Sequence, residues 1–292
     1  MPVSEEQLER WARGPSATET DQCDTTVRRI TQALRPHFGD RVAIFPQGSY
    51  RNRTNIRQDS DVDVVVRDNQ TFYPDTDQMT PQALARFNAT RSQADHTFEQ
   101  FKTKVHQLLR GAFGARVERR NKCILVPETA SGVNGDVVPC FVHRRFDADG
   151  NVTAEGIEFD ADDGRRYNSF PDQHYANGTA KNEATKRMYK RMVRILKNVR
   201  GELVERGELA PDAMHSFFTE CVVFNGVPNS AFLASTYYLA SKQVMEALWN
   251  ALKEESTSKF VEVNELKYLF FGGRTAEQAR VFLQAAYTFI GH

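Results

Sequence analysis

Residues 45–66 read FPQGSYRNRTNIRQDSDVDVVV, and the two ends of this stretch decide what kind of chain it belongs to. RVAIFP (41–46) is short and β-branched, which predicts a strand running into the turn at Gly48 and Ser49. DVDVVV (61–66) predicts a second strand, apolar enough to be buried yet opened by two acids. Side chains alternate along a strand, so Asp61 and Asp63 share a face, their Cα atoms roughly 6.6 Å apart at ~3.3 Å per residue. A bare Asp-x-Asp is common and often only solvates an edge or caps a turn. Following a Gly-Ser pair, it reads differently. Glycine lets the backbone approach a ligand closely, a helix starting there presents free N–H groups, and Ser49 adds a hydroxyl. The combination predicts a phosphate cradle facing a pair of carboxylates.

Two ionised carboxylates that close repel one another unless a cation lies between them. Hard oxygen donors suit Mg²⁺ or Mn²⁺, ions that keep water and substrate phosphate in their remaining positions. A two-ion site wants a third carboxylate. Asp136 in NGDVVPCF starts an apolar strand as Asp61 does, whereas Asp147, Asp149, Asp160, Asp162 and Asp163 fall in loops or turn-rich hairpin sequence. Asp136 is therefore the expected third ligand.

The rest of the chain sets limits. Its 292 residues, 40% hydrophobic and 26% charged, suit one large domain or two intimate ones. Thirty-eight basic residues balance 38 acidic ones, so extended nucleic-acid binding gets no support. Cys23, Cys123, Cys140 and Cys221 form no C-x-x-C or C-x-x-H pair and read as reduced thiols. The polar start MPVSEEQLERWARG lacks the apolar core of a signal peptide, and no apolar run approaches the roughly 20 residues that cross a bilayer. The expectation is a cytoplasmic protein with no membrane contact.

Helical spacing is expected over 4–13, from Ser16 or Thr18 to about Pro36, and over 81–110 with Gly111 and Gly114 ending it. Strands are expected at 115–127 and 134–146, with a hairpin around 151–159 and the DDG turn at 162–164. Beyond Pro171 the pattern is helical over 181–203, 215–225, 230–253 and 275–290. No internal repeat appears.

Gly48-Ser49, Asp61-Val-Asp63 on a strand and a single later Asp136 together resemble the signature of the polymerase-β-like nucleotidyltransferases. The longer stretch, with Ser216-Phe217-Phe218-Thr219-Glu220 downstream, resembles the bacterial cGAS/DncV-like nucleotidyltransferases, and the likeness extends over most of the chain. It implies an α+β fold: a mixed twisted sheet with flanking helices over 1–170, including the N-terminal helices, and a helical nucleotide-binding domain over 171–292. It implies a cyclic di- or oligonucleotide made from NTPs in anti-phage defence, sensed by an effector encoded nearby; the alternative is transfer of NMP to an RNA 3′ end or a protein. Asp61, Asp63 and Asp136 would hold two Mg²⁺ (or Mn²⁺) ions, with Asp136 helping to activate the attacking ribose hydroxyl. Gln47, Gly48 and Ser49 would bind nucleotide phosphates, with Arg51, Thr54 and Arg57 near them. Lys190 and Ser216 would grip the triphosphate tail, with Lys186 the alternative one turn earlier. Asn168, in RRYNSFPDQHYANG (165–178), would read a base edge and admit uridine alongside a purine.

Overall fold

The computed structural model describes residues 2–56, 61–253 and 255–292, and within them the valine run becomes the middle of a sheet. Arg57, expected near the phosphates, lies outside the described residues. In chain order the elements are α1 (Glu5–Ala12), α2 (Ala17–Phe38), β1 (Val42–Pro46), the one-turn α3 (Gly48–Asn52), β2 (Asp61–Asp75), α4 (Pro81–Thr90) and α5 (Phe98–Phe113). Five strands follow: β3 (Glu118–Arg119), β4 (Ile124–Val126), β5 (Asn134–Phe146), β6 (Val152–Asp160) and β7 (Arg166–Ser169). The remainder is helical: α6 (Pro171–Ala184), α7 (Met188–Glu205), α8 (Ser216–Gly226), α9 (Tyr237–Lys253) and α10 (Ala276–Ile290).

Two compact units share the chain. The sheet unit comprises Ala17–Gly48 and Ser60–Pro171; the helical unit comprises Met1–Ser16, Ser49–Asp59 and Asp172–His292. The chain passes from one to the other at Pro171, where the sequence changes character near residue 170. The linear division at that point misses two exchanges. Residues 1–16 join the helical unit because α1 buries Leu8 and Ala12 in its core. Arg53 and Thr54 join it through polar contacts described below.

In the sheet unit the strand order is β1-β2-β5-β4-β3, with β6 added on β5 and β7 on β6. β2 and β5 run parallel; every other pairing is antiparallel, which makes the sheet mixed. Val62, Val64, Val65 and Val66 are fully buried, each contributing on the order of 1.5–3 kcal/mol. That burial fixes the register in which Asp61 and Asp63 emerge. β2 continues past residue 66, through a register shift between Asp68 and Phe72, to Asp75.

In the sheet unit, two stretches expected to be continuous are broken. The helix over 81–110 is two helices, because Thr97 forms a capping box with Gln100 and restarts the chain at Phe98; Gly111 is helical and Gly114, at φ 87°, is the C-cap. The strand over 115–127 is two short strands around a turn in which Arg120 N–H donates to Cys123 O.

The helical unit is built around α7, whose Tyr189, Met192, Val193, Leu196 and Val199 are buried. Its basic residues are not a solvated face: Lys190, Arg194 and Lys197, at i, i+4 and i+7, are 8%, 9% and 2% exposed. A break at Lys186 and Arg187, both with positive φ, separates α7 from α6. Among the described residues no helix is long and apolar enough to cross a membrane.

Candidate active site

The parallel pairing of β2 with β5 sets Asp63 opposite Asp136 and Asp61 opposite Asn134. Neighbouring strands lie ~4.8 Å apart, so the Asp63 and Asp136 carboxylates leave the sheet side by side. Asn134 Nδ2 donates to Asp61 Oδ1 at 3.1 Å, while Asn134 Oδ1 accepts from Glu128 N–H. This amide orients the most exposed of the three acids. Asp136 Oδ1 is buried without a hydrogen-bond partner among the described residues, and the Arg120 guanidinium lies 4.0 Å from it. The Cys123 thiol lies against Asp136; burial, and then the charge and hydrogen bond of that carboxylate, push its pKa up to about 12.

Gly48 is built against this pair. Its φ is +66°, and a Cβ placed on it would meet Asp63 Oδ2 at 2.1 Å. Glycine is thus required twice, by conformation and by contact. Gln47 N–H donates to Asp63 O at 2.9 Å, tying the turn to the carboxylate strand through the backbone.

Hard oxygen donors, a bare buried carboxylate oxygen and a side-chain-free wall beside Asp63 fit a divalent cation of the Mg²⁺ class. Among the described residues no three acidic, histidine or cysteine side chains are close enough to ring an ion as they stand.

Asn168 is not brought to this face. Paired residues share a face, and the register from β5 to β7 runs Phe141–Glu158–Asn168 on one side and Val142–Ile157–Ser169 on the other. Asp136 has the parity of Val142. Tyr167 and Ser169, with Phe159 and Cys140, therefore lie on the carboxylate face, and Asn168 lies on the opposite face beside Glu158. The Tyr167 ring stacks on Phe159 and carries the Lys122 ammonium at 4.0 Å from its centroid.

The helical unit holds the other expected residues. Lys190 is buried; desolvation lowers its pKa, Glu220 opposes that shift, and Arg53 and Arg194 add to it. Its ammonium lies 5.6 Å from the Tyr175 centroid, with Arg51 over the same ring at 5.3 Å. Lys186 is exposed at the helix break, so the buried, charge-coupled position is Lys190. Ser216 opens α8, where His215 makes no side-chain cap, leaving first-turn N–H groups for an anion.

Sequence reasoning assigned no role to Asn134, Cys123, His174, Lys197 or Glu220. Glu220 carried a signal: it is a carboxylate inside the apolar run FFTECVVF.

Residues 12–154 match the Second Messenger Oligonucleotide or Dinucleotide Synthetase domain, and residues 176–291 match the cGAS/DncV-like nucleotidyltransferase C-terminal helical domain. The chain is 43% identical to the cyclic dipurine nucleotide synthase of Elizabethkingia meningoseptica over 100% of both chains. The solved structure of the cyclic dinucleotide synthase of that organism, with GTP and Apcpp, is similar at a TM-score of 0.85 and 41% identity, over 99% of this chain and 100% of that one. The c-UMP-AMP synthase of Rhodothermus marinus, with Apcpp and Upnpp, gives 0.83 and 34%, over 100% and 98%. The in-register carboxylates, the glycine turn that touches one of them and full-length likeness to these synthases agree: the chain belongs to the cGAS/DncV-like nucleotidyltransferases.

Proposed function

We propose that this enzyme condenses NTPs into a cyclic dinucleotide or short cyclic oligonucleotide, using Asp61, Asp63 and Asp136 with the Gln47–Ser49 turn as the reacting centre. The observation that carries the reading is the contact between the two motifs, with Gly48 pressed against the Asp63 carboxylate whose strand partner is Asp136. In each step a ribose 2′ or 3′ oxygen forms a bond to an α-phosphorus, and the α–β phosphoanhydride bond breaks to release pyrophosphate.

The carboxylates would hold Mg²⁺ or Mn²⁺, two ions in the usual form of this chemistry; the bound metal supplies charge neutralisation and lowers the pKa of the attacking hydroxyl. The chain does the rest. Burial of the β2 valines keeps Asp61 and Asp63 on one face, and Asn134 fixes the Asp61 rotamer. Asp136 Oδ1, without a hydrogen-bond partner among the described residues, is open to the ion or the hydroxyl proton. Backbone N–H groups of α3 and the Ser49 hydroxyl take the β- and γ-phosphates, while Lys190 and Ser216 take the tail. Positioning and electrostatics then carry catalysis without a covalent enzyme intermediate.

Tyr167 and Ser169 offer a stacking ring and a hydroxyl on the carboxylate face, so they are the base-facing pair in place of Asn168. Likeness to a dipurine synthase at 43% identity makes purine NTPs the leading substrates, and likeness to a UMP-AMP synthase keeps UTP in the set. The product acts as a diffusible signal to a separate effector, in anti-phage defence.

The test incubates purified protein with labelled ATP, GTP, CTP and UTP and Mg²⁺, without RNA or protein acceptor. A small phosphatase-resistant product is expected, identified by mass spectrometry. Label appearing only in added RNA or protein would replace this reading with transfer to a macromolecule.

A further inference from the structure

Glu220 is 3% exposed, yet three polar groups converge on it. Its Oε2 accepts from Thr54 Oγ1 at 2.9 Å, its Oε1 accepts from His174 Nε2–H at 3.0 Å, and the Lys197 ammonium stands 3.8 Å away. Thr54, His174 and Lys197 are buried too. Burial alone would raise the Glu220 pKa, but His174, Lys197 and Thr54 together hold it at about 2. A buried ionic cluster is a poor way to glue helices, since apolar side chains of similar volume usually do as well or better. What distinguishes this one is the piece of backbone at its centre.

That piece is Arg53–Thr54, the segment directly after α3. Thr54 N–H donates to Ser49 O at 2.9 Å, closing the turn that begins at Gly48 and Ser49. Lys197 Nζ donates to Thr54 O at 3.0 Å, and Arg194 donates to Arg53 O at 2.6 Å. Arg53 sits at φ 54°, a left-handed conformation costing about 1–2 kcal/mol for a residue with a Cβ. Five residues cannot sustain a helix in water by themselves. The shape of α3 is therefore imposed from the residues that follow it: two cations of α7 hold the Arg53 and Thr54 carbonyls, and Glu220 of α8 holds the Thr54 hydroxyl.

We propose that Glu220, acting through Thr54 with Lys197 and His174, is a positioning device that fixes α3 in the conformation that receives the triphosphate. It rests on the reading of Gly48 and Ser49 as the phosphate cradle. The device acts on nucleotide binding, because it shapes the cradle and touches no reacting atom.

The experiment compares Thr54→Val, Thr54→Ser, Glu220→Gln, Ser49→Ala and the core control Val244→Ala in the full-length protein, below the melting temperature of each. Thr54→Val and Glu220→Gln are expected to raise the KM for NTP about tenfold or more, with kcat within about threefold of the parent. Thr54→Ser restores the hydroxyl and the KM. Val244→Ala lowers the melting temperature at unchanged KM. Should Glu220→Gln fail to fold, the Thr54 pair decides. An unchanged KM in folded Thr54→Val, or a fall in kcat alone, overturns the proposal. An unchanged KM in Ser49→Ala instead overturns the cradle reading beneath it.

Discussion

Replacing Gly48 by alanine is the sharpest probe of the coupling between turn and carboxylates. The substituted residue would keep φ near +66°, costing about 1–2 kcal/mol, equivalent to roughly 2–8 °C in melting temperature for a protein of this size. Its Cβ would stand 2.1 Å from Asp63 Oδ2, where ordinary contact needs about 3.4 Å. Either the turn or the carboxylate must therefore retreat by about 1 Å. The Asp63 carboxylate is the terminal group of a short side chain, so rotating it is cheaper than moving a buried strand. Stability then falls only by the backbone term, whereas a ~1 Å displacement of a reacting group costs on the order of 100-fold in turnover. The assay pairs melting temperature with steady-state kcat on saturating NTP, in Gly48→Ala, Asp63→Asn and the double variant. The alanine is expected to cost little beyond what Asp63→Asn already costs, because both act through one carboxylate. Parental kcat in Gly48→Ala, or full additivity in the double variant, would refute the contact as the basis of the site.

Lys190→Ala should raise the KM for NTP about tenfold or more while Lys186→Ala leaves it unchanged, since only the first is buried beside Glu220; equal effects would remove the assignment. The acid limb of stability should also report Glu220. With a folded pKa near 2 against the ordinary value of 4.5, its contribution is complete above about pH 4.5 and is lost as pH falls toward 2. Chemical denaturation between pH 6 and 3 should therefore lose stability less steeply in Glu220→Gln than in the parent, and parallel slopes would contradict the depressed pKa.

The carboxylate pair was legible because two physical constraints coincide in a short span. A valine run must be buried, and acids at its mouth must then emerge together, so Asp61 and Asp63, and Asp136 at the start of a second apolar strand, stand out in the sequence. Other features were local but overlooked: Thr97 with Gln100 is a readable capping box, and it divides the expected 81–110 helix. The break at Lys186 and Arg187 has no such signal: two exposed non-glycine residues take positive φ there, where Arg187 N–H donates to Asn182 O and Lys190 N–H to Asn182 Oδ1.

Asn168 shows where local reading ends. Whether a strand residue faces the carboxylates depends on parity, and parity is passed from β5 through β6 to β7 by two antiparallel registers. A slip of one residue in either would exchange Asn168 for its neighbours. No feature of 165–178 taken alone fixes that count. Glu220 poses the complementary problem: its burial was legible, but its purpose was not, because its partners lie 166 and 46 residues away. The candidate acids Asp61, Asp63 and Asp136 are carried by two strands whose own hydrophobicity sets their direction. The proposed cradle is a one-turn helix with no such internal support, and it must borrow rigidity from distant charged side chains. A site assembled from one self-determined element and one supported element should lose chemistry when the first is altered and substrate affinity when the second is, and Asp63 and Thr54 are the residues at which those two losses separate.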